Sequence, residues 1–163
     1  MSEEEDAYSE ITRSIRVSVD PFYLDDQSVP EDFHYVWAYH VRIENMGGET
    51  VQLLRRHWQI TDSKGRIEEV RGEGVIGEQP ILEPGDSFEY TSGAPLSTPS
   101  GFMTGTYQMV TEAGDRFSVS IPTFSLDSPH DLSIVNCSAG PRALRAGTMV
   151  KNRYARGIPV NAN

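Results

Sequence analysis

Hydrophobic and polar residues alternate along most of this chain with a period of two. Ile15, Val17 and Val19 read as one strand, and Pro21 is expected to bend or end its regular pairing. In FHYVWAYHVRIEN, Phe33, Tyr35, Trp37, Tyr39, Val41 and Ile43 alternate with smaller or polar residues, the pattern of a long half-buried strand. After the turn-rich MGGET, VQLLRRHWQITD places Leu54, Trp58 and Ile60 on one face and Leu53, Arg55, His57 and Gln59 on the other. DSKG is a tight turn, RIEEVRG a further strand, and LEPGDSFEYTS a Pro-Gly turn leading into a short strand. TSGAPLSTPSG reads as a loop whose serines form turns. The final hairpin alternates Tyr107, Met109 and Thr111 on one arm and Phe117, Val119 and Ile121 on the other, around AGD.

About seven short strands result, with no amphipathic helix, and their spacing predicts an all-β, antiparallel β-sandwich. The strand layout resembles immunoglobulin-like and fibronectin type III domains, with Tyr107 a candidate tyrosine corner. At 163 residues the chain suits one domain. Residues 1–10 are acidic and expected to be disordered, 11–136 form the domain, and 137–163 read as a flexible tail.

Charge sharpens that division. The net charge is −10, yet from Cys137 onward there are five basic residues (Arg142, Arg145, Lys151, Arg153, Arg156) and no acidic one. The acidic body would repel a nucleic-acid backbone and suits metal cations, basic proteins or uncharged surfaces. The tail is expected to fold back on that body, to engage an acidic partner, or to be inert. A lone Cys137, no secretory signal and no apolar run of membrane-spanning length together read as cytoplasmic, without membrane insertion.

Gly72, Gly74 and Gly77 have the spacing G-x-G-x-x-G, which in dinucleotide sites delivers a pyrophosphate to a helix N-terminus. Here Pro80 and Pro84 follow, so no helix is expected. The leading reading is a bulge and turn between the sheets, with Val75 and Ile76 filling the core edge. The alternative is an anion nest of exposed amides helped by Arg71 and opposed by Glu73 and Glu78.

Other constellations are weaker. No G-x-S-x-G, H-E-x-x-H or P-loop motif occurs. His34, His40, Ala38 and Arg42 share one strand face. If the GGET connection makes neighbours of the two strands that it joins, His40 and Arg42 meet Arg55 and His57 in one patch, either a solvated face or a contact for an acidic partner. Arg56 falls on the inward face between Leu54 and Trp58 and needs a carboxylate, with Glu73 and Glu89 the candidates for a structural ion pair. The pairs Asp25-Asp26, Glu31-Asp32 and Glu68-Glu69 could attract Mg²⁺ or Co²⁺ but are dispersed, so no dedicated metal ligands or cofactor are assigned.

RHWQITD, EVRGEGVIGEQP and LEPGDSFEYTSG closely resemble ApaG proteins, and the likeness extends roughly from Ile11 to Asn136. The resemblance implies a fibronectin type III-like sandwich and an association with cobalt tolerance and magnesium efflux. Related domains in eukaryotic F-box and polymerase-interacting proteins imply protein binding. The family's suggested pyrophosphate site falls on Gly72, Gly74 and Gly77. Ala94 stands where the family often has Cys, so a role for that thiol does not transfer, and the residues after Asn136 have no family counterpart. The expected function is a non-enzymatic protein-interaction module linked to divalent-cation homeostasis. A nucleotide or pyrophosphate binder using Arg71 and Arg56 is the alternative, and direct metal binding is third. Strand edges could also pair two copies.

Overall fold

The structure is a computed structural model and describes residues 8–130. The described residues form nine strands: β1 (Tyr8–Thr12), β2 (Ile15–Tyr23), β3 (Tyr35–Asn45), β4 (Val51–Asp62), β5 (Ile67–Glu73), β6 (Ile81–Leu82), β7 (Ser87–Leu96), β8 (Ser100–Thr111) and β9 (Arg116–Asp127). They make two antiparallel sheets, ordered β1-β2-β3-β7 and β5-β4-β8-β9, with β6 also beside β4. The expected antiparallel β-sandwich is thus what the chain forms. The expected tail, 137–163, lies outside the described residues.

Both sheets bury their inner faces in one core. At its centre Trp58 lies edge-on to Tyr39 and Phe124, with ring centroids 5.3 and 6.0 Å away. Edge-to-face packing lets the electropositive rim of one ring meet the negative face of the next, adding to the area these large side chains bury. A smaller cluster, Leu24, Val36 and Ala38 with Phe22, packs apart from that core.

Several sequence expectations are corrected. β1 begins at Tyr8, inside the segment expected to be disordered, because Tyr8 packs its ring 6.0 Å from Phe124 and the chain pairs with β2 from Tyr8↔Val19 onward. β2 runs through Pro21 to Tyr23, still in register with β3. β7 continues to Leu96, so much of the expected TSGAPLSTPSG loop is strand paired with β3. The strand start expected at Phe33 moves to Tyr35, because Pro30–Asp32 is a 3-10 turn and Phe33 ends it in the left-handed conformation, with φ of 53°.

Parity in β4 is also changed. A bulge between Leu53 and Arg55 inserts Leu54 into the β4–β8 ladder, and one extra residue exchanges inward and outward positions. Leu53 is therefore fully buried, while Leu54 is only half-buried. Beyond the bulge Arg56, Trp58 and Ile60 share the inward side, as the alternation predicted.

Candidate functional site

The glycine motif is a piece of local architecture, but it turns within one sheet and not between two as expected, because β5 before it and β6 after it both pair with β4. Gly72 stands in β5 opposite Arg56, and a Cβ there would come within 2.9 Å of the guanidinium carbon. The next turn, Val75–Glu78, is a two-residue hairpin: the Val75 amide donates to the Glu78 carbonyl at 2.8 Å, and the Glu78 amide returns to Val75 at 2.9 Å. Its central residues, Ile76 and Gly77, have φ of 42° and 82°, the sign that a type I′ turn requires at both positions. Gly74, with φ of 67°, approaches so closely that a Cβ would lie 2.2 Å from the Glu78 carbonyl oxygen. Its amide donates to the Leu54 carbonyl at 2.9 Å, which also accepts from the Gln79 side chain at 2.9 Å, so the β4 bulge anchors the turn.

Three amides of the motif, those of Gly74, Val75 and Glu78, therefore already donate within the chain, which opposes their use as an anion nest. The expectation for Val75 holds, since it is buried. That for Ile76 does not, since its place at the turn's tip leaves it 48% exposed.

Arg56 points inward over Gly72. Its Nη1 donates to the main-chain carbonyls of Gly74 at 2.9 Å and Glu73 at 3.2 Å. Glu73 thus meets Arg56 through its main-chain carbonyl. Glu89, the other candidate, instead meets His40 and Arg42.

Nearby, the hydroxyls of Tyr90 and Tyr107 form a hydrogen bond to each other. That contact corrects the tyrosine-corner reading, in which the Tyr107 hydroxyl would bond upstream main chain. Burial pushes the Tyr39 phenol up to about 12, the Ser92 hydrogen bond and the Arg56 charge drawing it only partly back. Burial raises Tyr90 and Tyr107 as well.

The expected four-residue basic patch is split. β3 and β4 belong to different sheets because their connection crosses the sandwich instead of making a hairpin. On the first sheet, His40 contacts Thr91 and Glu89, each at 2.9 Å, while Arg42 pairs with Glu44 at 3.1 Å and Glu89 at 3.8 Å. On the second, Arg55 stands in register between Glu73 and Gln108, and His57 between Arg71 and Thr106. These residues line a hollow of about 370 Å³, where Glu69 pairs with Arg71 at 3.1 Å and His57 at 3.4 Å. The fold therefore brings Arg55 and His57 to Arg71, which the sequence reading had assigned to another site.

The acidic pairs are held apart. Asp25-Asp26 and Glu31-Asp32 occupy separate 3-10 turns, and Glu68 and Glu69 alternate along β5. Among the described residues no group of three or more His, Cys, Asp or Glu is placed to share an ion. None of their helices is long and apolar enough to cross a membrane.

A further feature escaped the sequence reading. β9 packs against β1 and β2, so the terminal strands β5 and β7 stand on the opposite flank, where the sheets part. A cleft of about 570 Å³ opens there, lined by Phe33 and His34, by Ile60, Ile67 and Glu68, by Pro95, Leu96 and Ser97, and by Asp62 and Arg66. Arg66 fixes one rim by pairing with Asp62 and donating to the Ser97 hydroxyl, both at 3.1 Å. At the mouth Phe33 is 70% and Ile67 59% exposed. The signal lay in V-P-E-D-F: a proline at the start of a turn with two acids after it removes the next aromatic residue from the strand.

Comparison with known proteins places this geometry in context. The family model described as ApaG domain matches residues 25–111. Protein ApaG of Rhodospirillum centenum is 67% identical over 129 residues, covering 79% of this chain and 99% of that protein. Protein ApaG of Paramagnetospirillum magneticum is 64% identical with the same coverage. Among solved structures, the ApaA protein of Bordetella pertussis aligns with a TM-score of 0.69 and 49% identity, covering 76% of this chain and 98% of that one.

Proposed function

The chain belongs to the ApaG domain family, and from that membership we propose that it is a non-catalytic protein-interaction module which docks a partner at the cleft between β5 and β7. The observation that carries this reading is Phe33, held in the left-handed conformation and mostly in solvent at the cleft mouth. A bulky residue in that conformation costs free energy, and an exposed aromatic ring adds a further unfavourable hydration term. Both costs are offset when the ring becomes an anchor, since buried aromatic side chains dominate interface energetics. The module works in the cytoplasm, without a cofactor of its own, and influences Co²⁺ tolerance and Mg²⁺ efflux through its partner.

The test is a photo-crosslinking amino acid placed at Phe33 in living cells, with the same group at exposed Glu112 in the β8–β9 turn, which lines neither the cleft nor the hollow, as control. A protein captured only from Phe33 is then purified and titrated. Phe33→Ser is expected to weaken its binding by about tenfold or more, the effect of losing an aromatic anchor. In cells lacking the protein, Phe33→Ser is also expected not to restore cobalt tolerance where the unaltered chain does. Full affinity and full restoration by Phe33→Ser would refute the reading.

A second reading rests on the hollow of Arg55, His57 and Arg71. Two guanidinium groups and an imidazole facing one space suit a phosphate or carboxylate group. Glu69 and Glu73 compete for them, which places this reading below the first. Saturable amide shifts at Arg55, His57 and Arg71 on titration with inorganic phosphate would support it, and their absence at millimolar phosphate would remove it.

A further inference from the structure

The cleft has acidic surroundings and an apolar floor. Glu68 lines it, Glu31 and Asp32 immediately precede Phe33, Asp62 is neutralised by its pairing with Arg66, and Ile60 and Leu96 lie beneath. Arg66, the cation among the lining residues, is engaged by Asp62. An occupant should therefore be basic with interspersed apolar side chains. The chain itself contains such a segment: residues 142–156 carry Arg142, Arg145, Lys151, Arg153 and Arg156 together with Leu144, Met149, Val150 and Tyr154, and no acidic residue.

Position agrees with chemistry. The described chain ends at His130, whose ring lies 5.9 Å from that of Tyr23 and 6.1 Å from that of Tyr35. Tyr35 is the cross-strand neighbour of Leu96 and follows His34, both of which line the cleft. The chain thus leaves the described body beside the cleft. The twelve residues that follow His130, through Arg142, can extend about 40 Å at roughly 3.3 Å each, and they start beside the cleft. A tethered segment acts at an effective concentration of order millimolar, so even weak complementarity suffices for occupancy.

We infer that residues 142–156 are an intramolecular ligand of the β5–β7 cleft and compete there with the partner. This inference rests on the reading of the cleft as a docking surface and adds its regulation. The attraction is between basic tail and acidic rim and weakens with salt, while Leu144 or Tyr154 supplies the apolar contact beside Phe33.

The experiment uses the full chain. A nitroxide is attached at Ala155→Cys in a Cys137→Ser background, and paramagnetic broadening of backbone amides is measured. The expected result is broadening concentrated at Phe33, His34, Ile67, Glu68 and Leu96. It should diminish at least roughly twofold at about 1 M salt, where the screening length falls to about 3 Å. Asp32→Lys with Glu68→Lys, two exposed positions whose replacement leaves the core intact, should abolish it. Mixing spin-labelled chain with isotope-labelled, nitroxide-free chain should give none.

Broadening confined to another surface, its absence, its persistence in the double charge reversal, or its appearance only in the mixed sample would each overturn the inference. None of these outcomes bears on whether a partner captured at Phe33 loses affinity with Phe33→Ser, so failure of the tail and failure of the docking site remain distinguishable.

Discussion

Tyr90 of β7 and Tyr107 of β8 join the two sheets through a hydrogen bond between their hydroxyl oxygens, 2.5 Å apart in the buried core. Each phenol is the other's means of satisfying a polar atom that water cannot reach. Tyr107→Phe leaves the Tyr90 hydroxyl without that partner and is expected to cost about 1–3 kcal/mol. Removing both hydroxyls in Tyr90→Phe with Tyr107→Phe should cost less than the sum of the single changes, because no orphan remains. Urea unfolding of the four proteins in a double-mutant cycle measures the coupling, and strict additivity would show that the hydroxyls do not depend on each other.

The same phenols set the alkaline limit of stability. Burial raises Tyr39 from about 10 to about 12 and raises Tyr90 and Tyr107 too. A raised folded pKa means that the folded state holds its proton more tightly than the unfolded state does. The associated stability is fully present below about pH 10 and is lost as pH climbs through 12. Tyrosinate absorbance should accordingly rise in two stages, exposed phenols first and the buried ones together with unfolding. Ionisation of all the tyrosines below pH 11 without loss of tertiary structure would contradict this.

The three glycines of the motif should differ in cost when changed to alanine. Gly74→Ala combines a positive φ with a Cβ placed 2.2 Å from a main-chain oxygen and should destabilise most. Gly72→Ala displaces the Arg56 guanidinium, a movable group, and an overpacking cost of about 1–3 kcal/mol is expected. Gly77→Ala meets open space and should cost about 1 kcal/mol, from left-handed strain alone. Denaturant midpoints give the order. If Gly77→Ala proved the most damaging, the glycines would not be serving the local packing described above.

The fold was legible because alternation marks a half-buried strand wherever the ladder is regular, as in Tyr39 to Asn45 and in the Tyr107–Thr111 and Phe117–Ile121 arms of the β8–β9 hairpin, whereas Tyr35 to Tyr39 are buried on both faces. It was least legible where one residue broke the period. The bulge at Leu54 exchanged the positions of Leu53 and Leu54, and the turn at Pro30–Asp32 turned Phe33 from an expected core residue into the most exposed aromatic described. The site was legible residue by residue but not as a constellation. His40, Arg42, Arg55 and His57 share facing periodicities, yet whether β3 and β4 share a sheet depends on the non-local pairings β3–β7 and β4–β8. Nothing near Gly47 and Gly48 encodes that choice.

The bulge makes adjacent leucines unequal. Leu53→Ala empties space in the centre of the core, where the residue has no exposed surface, and should cost about 2–5 kcal/mol. Leu54, half-buried at the bulge, should cost clearly less when changed to alanine, because its main-chain carbonyl, which holds Gly74 and Gln79, is retained. The difference in urea midpoint between the two variants checks the register, and equal or reversed costs would mean that the bulge lies elsewhere.

Phe33 offers a test in which stability and function move in opposite directions. Glycine adopts φ of 53° without the steric cost that a bulky side chain carries, and the ring it replaces is 70% exposed, with little burial to lose. Phe33→Gly should therefore raise folding stability by about 0.5–1 kcal/mol, the usual return for relieving left-handed strain, less the greater entropy of an unfolded glycine. If the ring is an anchor, the same change should weaken binding of the captured partner by about tenfold or more. A more stable protein that binds less well would identify strain retained for docking. Loss of stability in Phe33→Gly would instead mean that the ring packs into its own cleft, and the site would then have to be sought on the face of Arg55 and Arg71.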